Sequence, residues 1–379
     1  MKPASSLALI AAFVVAPATA VEYTVATCAD LADVDDTLAT GLTIDSSTFA
    51  CDEYTRFRVR NTMSLKATVP AVEFSNFSLK VLGELTVEPD VLFTGVMDQV
   101  KNGGVLSVTE GATATFLGTS EFSDNSIRIK QLEPTDSCGV GCISRGRSYV
   151  VKKGAAVHNK GMLTFEGDAS FVSNLVKTDN SEEGGKAGAV SNAGSGSILF
   201  KGKLTVQGNE AEGFFAGLGG GFYNRGDIVV DGESYFSLGQ ASDGGAIFQT
   251  KIGTMTFNAM ATFSENAAFE LRGGAIMNDG GVMDFNAGSI FLSNGASGSG
   301  DGGLGGAIFN NDGGVITLTG STTFKDNDAY WGGAIYNDDG DDDSPGATTT
   351  FPADTTFVGN DAEFCPNVHN GDNDNCPEV

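Results

Sequence analysis

Basic side chains are scarce in this chain: 22 Lys and Arg stand against 48 Asp and Glu, a formal charge of −26 at neutral pH. So acidic a chain repels nucleic acid and anionic membranes, and neither is expected as a partner. Long apolar runs are also lacking. The longest near the start, Leu7–Val15, is too short to span a bilayer. With Lys2 ahead of it and Ala18-Thr19-Ala20 behind it, residues 1–20 read as a secretory signal peptide. Loss of Lys2 takes the charge from −26 to −27, in a mature chain starting near Val21. No later stretch approaches 18 apolar residues, so membrane insertion is not expected and the protein should be secreted, extracellular or at the cell surface. Helical periodicity is absent throughout.

What the chain has in abundance is glycine, 52 residues, and phenylalanine, 26, and both recur in phase. A six-residue phrase is written seven times: at Gly154–Asn159, Ala187–Asn192, Gly219–Asn224, Gly244–Gln249, Gly273–Asn278, Gly305–Asn310 and Gly332–Asn337. Successive starts lie 33, 32, 25, 29, 32 and 27 residues apart. A period in this range marks a solenoid, whose repeats bury apolar surface only against their neighbours. Each period also holds Gly-x-Φ-x-Φ, with Φ apolar, as at Gly161, Leu163 and Phe165, and Phe-x-x-Asn, as at Phe171 and Asn174. Ten residues separate the glycine of the first phrase from the aromatic position of the second in every repeat from Gly161 to Phe324.

Alternation at period two is a strand signal. The expectation is therefore an all-β, right-handed, single-stranded parallel β-helix with three short strands per coil and about ten or eleven coils. Its handedness follows from the rule for parallel crossovers. At about 4.8 Å per coil, the rod is on the order of 50 Å long. Paired glycines suit a left-handed turn and close backbone stacking. Asn at the strand end is expected to take the left-handed turn conformation and to stack its amides. The helix is expected over residues 55–362, with 21–54 as an N-terminal cap, an insertion at 126–153, and 363–379 as a disulfide-closed tail.

The pairing of GGA[ILV] with Phe-x-x-Asn resembles the repeat of the chlamydial polymorphic outer membrane proteins over about residues 150–360. That resemblance implies a β-helical passenger at a cell surface. The membrane barrel that follows such passengers is not expected here, since nothing after Asn360 supplies even one of its hairpins.

Six cysteines in an exported chain suggest disulfides, with proximity favouring Cys28–Cys51, Cys138–Cys142 and Cys365–Cys376 among fifteen connectivities. Asn76-Phe77-Ser78 is the one N-glycosylation sequon, with Asn76 as acceptor. Asp338, Asp339, Asp341, Asp342 and Asp343 cluster hard oxygen ligands on one loop, a candidate calcium site. Asn370–Asn375 is a second oxygen-rich stretch.

Parallel β-helices host polysaccharide lyases and glycosidases, so an enzyme is the alternative. Arg128-Ile129-Lys130 resembles the RIK triplet of polygalacturonases, but the other motifs of that family are missing in the expected order. No residue is assigned a catalytic role. At the fifth position of the hexapeptide stand His158, Ser191, Tyr223, Phe248, Met277, Phe309 and Tyr336. If the fourth and sixth positions face inward, the fifth faces out. Tyr223, Phe248, Met277, Phe309 and Tyr336 then form an exposed stripe for stacking sugars or contacting protein, and His158 lies on the surface. Between Phe-x-x-Asn and the next hexapeptide lie 12, 9, 4, 6, 10 and 4 residues, so insertions gather at one corner. The functional expectation is a secreted, non-enzymatic surface or matrix protein that binds an extracellular protein or polysaccharide through those loops and the stripe. A calcium-dependent structural role in a cell wall is the third alternative.

Overall fold

A computed structural model describes residues 21–98, 104–129, 153–178, 185–213, 217–298, 303–338 and 345–371, with 340 and 376. The signal segment 1–20 lies outside them. The described chain is a parallel β-helix. Strands made by the Gly-x-Φ-x-Φ phrase, together with equivalents at both ends that lack it, form a stack of twelve, from Val21–Val25 through Met162–Phe165 to Thr348–Thr350, each parallel to the next. Register is kept by the apolar pair: Ala114, Leu163, Ile198, Ile228 and Met255 oppose one another in turn, as do Phe116, Phe165, Phe200, Val230 and Phe257.

Each regular coil holds four strands rather than three. After the hexapeptide strand (Val157–Asn159), the glycine-phrase strand (Met162–Phe165) and the phenylalanine strand (Ala169–Val172) comes a short fourth, Leu175–Thr178. Its equivalents form a separate nine-stranded sheet. The fourth strand follows Phe-x-x-Asn, where the sequence varies in length and shows little alternation.

Two boundaries also differ from expectation. Val21–Val25, Ala39–Ile44 and Thr48–Val59 already belong to the stacked sheets, so residues 21–54 are the first coils of the rod and no separate cap. They alternate apolar and polar residues but lack the glycine phrases, which is why the period does not reveal them. At the other end, Asp361–Phe364 and Val368–Asn370 continue the stacks, pairing with Asp328–Trp331 and Ile335–Asn337. Residues 126–129 of the expected insertion are a regular fourth strand.

The lumen is filled by stacked rings. Phe74, Phe93, Phe122 and Phe171 follow one another at 4.9 to 5.2 Å. Phe236, Phe263, Phe291, Phe324 and Phe357 resume the ladder at 4.8 to 5.1 Å. Val206 interrupts it and Val230 interrupts the neighbouring ladder Phe116–Phe165–Phe200. There Phe222, standing where the other hexapeptides carry Val or Ile, puts its ring 5.3 Å from Phe236 and 6.0 Å from Phe171 and Phe200.

The turns are held by two buried amide ladders. At Asn125, Asn174, Asn266, Asn294 and Asn327 the side chain donates to the Asn oxygen one coil on and to the Phe carbonyl one coil back: Asn294 Nδ2 reaches Asn327 Oδ1 at 3.0 Å and the Phe263 carbonyl at 3.1 Å. The left-handed residue is not the Asn but the one before it, for example Asp124 (φ 54°), Ser173 (54°) and Ser293 (53°). Asn is required for its two-way hydrogen bonding, not for its backbone. In the hexapeptide the two glycines divide the work. Gly273 has φ 63°, while a Cβ on Gly274 would stand 2.1 Å from the Gly306 carbonyl oxygen of the next coil.

Candidate functional site

The variable corner lies between the fourth strand and the next hexapeptide; two features meet there, and a third lies at the other end of the hexapeptide strands. The first is the fifth-position ladder. Strand alternation does turn these side chains out of the lumen, but they are not exposed. Tyr223, Phe248, Met277, Phe309 and Tyr336 are 1 to 7 % accessible and form a small second core with Ala187. The expected surface stripe is overturned by what covers it. The residues that close each coil, Lys186, Leu218, Asp243, Arg272, Leu304 and Trp331, form their own run of parallel bridges beside the ladder. Leu218, Leu304 and Trp331 pack on the ladder, and the Arg272 guanidinium lies 5.3 Å from the centre of the Phe309 ring. The Lys186 ammonium lies 4.9 Å from the centre of the Tyr223 ring. The ladder therefore fastens the corner to the rod. Burial raises the Tyr223 phenol above its ordinary range.

His158 continues the same ladder, between Ser107 and Ser191, and is 4 % accessible, against the expectation of a surface residue. Neither ring nitrogen has a hydrogen-bond partner. Burial, then the charges of Lys160 and Lys153, push its pKa down to about 4, against a weaker upward pull from the Ser191 backbone. His369 closes the far end, with its ring 4.8 Å from Tyr336 and Nδ1 3.2 Å from Cys365 Sγ.

The second feature, which the sequence reading missed, is the outward face of the fourth strands. Glu210 and Glu212 flank the buried Ala211 on one strand and so point out together. Lys177, opposite Glu212 on the preceding coil, is ion-paired with it. The Glu210 carboxyl is held above its ordinary range by burial, then by the charge of Glu212 and a hydrogen bond between the two side chains. Gln240 stands opposite Glu210 on the next coil. One coil further, Phe269 follows the buried Ala268 and is half exposed. The signal was there as alternating Glu-Ala-Glu, but without the fourth strand nothing assigned it a face.

The third feature is the acidic end. Burial, followed by the charge of Asp312, holds Asp279 above the usual carboxylate range, with Lys251 and Arg272 opposing. Lys251 is ion-paired with Asp312. Of the candidate calcium ligands only Asp338 is described; its Oδ1 accepts a 2.9 Å hydrogen bond from the Gly340 amide. Asp339, Asp341, Asp342 and Asp343 lie outside the described residues, as does most of the Asn370–Asn375 stretch. Asn370 itself ends the second amide ladder, accepting from Asn337 at 2.9 Å. Among the described residues no three His, Cys, Asp or Glu converge as metal ligands.

Two expected disulfides are formed, Cys28–Cys51 and Cys365–Cys376. Cys138 and Cys142 lie outside the described residues, as does Lys130 of the Arg-Ile-Lys triplet. The sequon asparagine, Asn76, has a left-handed backbone (φ 52°), and its amide donates to the Cys51 carbonyl at 3.1 Å. No protein-family model, no curated protein and no solved structure matches the chain.

Proposed function

We propose that this protein is an extracellular, non-enzymatic rod that binds a glycan along the outward face of its fourth strands and the adjoining corner. The observation that carries this reading is the composition of that face. It holds an exposed ring, Phe269, one coil from Gln240, two from Glu210 and Glu212 and three from Lys177, all of them hydrogen-bonding groups. Sugars are recognised by that combination: a flat apolar surface for the C–H face of the ring, and carboxylates or amides for its hydroxyls. The chain's resemblance to surface-protein repeats and its terminal disulfides fit an exported role.

The competing enzyme rests on the same carboxylate pair. Glycosidases hold their two carboxyls about 5 Å apart or further, to leave room for a sugar carbon or a water. Glu210 and Glu212 are close enough to share a hydrogen bond, nearer together than a carboxyl pair that flanks a glycosidic bond. A glycan array probed with the mature chain, with calcium and again with chelator, tests the reading. Retention of one polysaccharide class, weakened at least tenfold by Phe269→Ala, is the expected result. No retention under either condition would sink it. New reducing ends or unsaturated products after incubation would replace it with the enzyme.

A further inference from the structure

The glycine-phrase strands present a face that neither the lumen nor the variable corner uses. In Met162–Phe165, as in its equivalents, the second and fourth residues are buried, so the first and third point out. From Glu84–Val87 to Thr348–Thr350 nine such strands stack in unbroken register. Six of the nine third positions are threonine: Thr86, Thr115, Thr164, Thr256, Thr317 and Thr350. Leu199, Val229 and Asp284 fill the others. The first positions add Thr113, Ser197, Thr254 and Thr348. No Lys, Arg or aromatic residue stands at any of these two sets of nine. Three acids do, and two of them are engaged by neighbouring hydroxyls: Asp227 accepts from Thr254 at 2.6 Å and Glu84 from Thr62 at 3.0 Å. Among the described residues, the hydroxyls of Thr86, Thr115, Thr164, Thr256 and Thr317 have no protein partner. The turn from this strand to the phenylalanine strand keeps three residues, as at 166–168, 231–233 and 286–288, so it raises no loop over the face. Asn286 donates to Asn258 at 2.8 Å and Asn258 to Asp231 at 2.7 Å, which ties those turns together along one edge.

We propose that this threonine-rich face binds the surface of ice. The chemistry of the face narrows its partner. It has no ring on which a sugar could stack and no cation for an anionic surface. What it offers is a rigid, neutral array in two dimensions. Neighbours along a rank stand about 4.8 Å apart, and the two ranks about 7 Å apart, two strand residues. These spacings lie near the repeats of the water lattice in ice along its a and c axes. Threonine is stiff at χ1, so each hydroxyl and methyl is held in place before contact. The hydroxyls can continue the hydrogen bonding of the lattice, and the methyls fit its open spaces. Val229 has the shape of threonine without the hydroxyl, so the contour of the rank runs on through it. One threonine holds water no better than any exposed hydroxyl does. A solid engages the ranks all at once, and affinity then comes from the number of contacts in register, as for any multivalent pair. The charge of −26 keeps rods apart in solution and does not oppose contact with a neutral solid. The proposal is independent of the glycan reading, which concerns the fourth strands.

Two measurements on the full mature chain test this: the gap between the melting and freezing points of a single ice crystal, and partition of the protein into slowly growing ice. The variant is Thr164→Tyr with Thr256→Tyr, which breaks the plane of the face at two outward positions. Thr205→Tyr, outward on the neighbouring phenylalanine strand, is the control. Unchanged urea midpoints show that all three proteins are folded. The parent chain should open a gap that grows with its concentration, facet the crystal and enrich in the ice. The double variant should lose at least fivefold of the gap and the control should keep it. No gap and no enrichment in ice would overturn the proposal. A gap that the double variant leaves unchanged would overturn the assignment to this face. Retention of the chain on crystalline chitin or cellulose, abolished by the double variant and without any gap, would replace ice by the surface of a neutral polysaccharide. Self-association abolished by the same variant, again without a gap, would make the face an interface between two copies of the chain.

Discussion

At the scale of single residues, the amide ladders decide what the rod tolerates. Replacing Asn294 by Ala removes its bonds to Asn327 and Phe263 and leaves the Asn266 amide and side chain without their shared acceptor. Buried groups stranded in this way cost about 1–3 kcal/mol each, so Asn294→Ala should lower stability by at least about 3 kcal/mol in urea unfolding. The second ladder has a defect of its own. Gln249 accepts from Asn224 at 2.9 Å, but its own amide nitrogen, fully buried, reaches no partner, whereas Asn278 next door donates to Asn310 at 2.8 Å. Restoring the shorter side chain with Gln249→Asn should rejoin the ladder and add about 1 kcal/mol, read as a higher urea midpoint; an unchanged or lower midpoint would show that the turn before Gly253 needs the longer chain. His158 makes stability depend on acid. Its folded pKa, about 4, lies below the ordinary value of 6.5, so the unfolded chain binds the proton more readily. The contribution is fully present above pH 6.5 and is lost as pH falls from 6.5 towards 4, about 3 kcal/mol in all. His158→Phe should abolish that part of the slope, and the difference between the two proteins at pH 7 and pH 4.5 isolates it from the many carboxylates.

At the scale of the coil, exchange between positions keeps the lumen full. Phe222 occupies a site that is Val or Ile in the other hexapeptides, in the coil where the flanking ladders carry Val206 and Val230. Phe222→Ile alone makes the repeat more regular in sequence and yet opens a cavity, with an expected cost of about 1–3 kcal/mol. Val206→Phe alone crowds the same space. The pair together should recover at least about 1 kcal/mol relative to the sum of the singles, which a double-mutant cycle measures. Strict additivity would mean the two positions do not share volume. This exchange also explains what could be read beforehand. The period, the apolar pair and the Phe ladder are lumen features, repeated because every coil faces the same neighbours, and they appear in the residues directly. The fourth strand and its Glu210, Glu212 and Phe269 face do not repeat, since each coil closes the corner with different residues. The fifth-position ladder was legible in its direction but not in its burial. Which side chains would lie over it depends on how the chain returns through Leu218, Leu304 and Trp331, positions with no common residue type.

At the scale of the whole rod, a coil touches only the coils above and below it, so stability is a sum along a line and its ends are the weak points. The first and last coils lack a neighbour on one side and are poorest in the glycine and phenylalanine phrases. It is there that the disulfides lie. Cys28–Cys51 closes a loop between the first strands, and Cys365–Cys376 ties the chain beyond the last fourth strand. Bridges closing loops of this length are worth roughly 3 kcal/mol, and in a linear array that stabilisation acts on the adjoining coils rather than on the middle. Reduction, or Cys28→Ser with Cys365→Ser, should therefore lower amide-exchange protection across residues 21–67 and 356–371. Protection at 222–292, where Phe222, Phe236, Phe263 and Phe291 interlock, should stay at its oxidised value. Fraying that stops short of the central coils would leave the fourth-strand face at Glu210 and Phe269 intact, so glycan retention should survive reduction. A uniform fall in protection would instead show that the rod unfolds as a single cooperative unit, and ligand binding would then be lost together with the bridges.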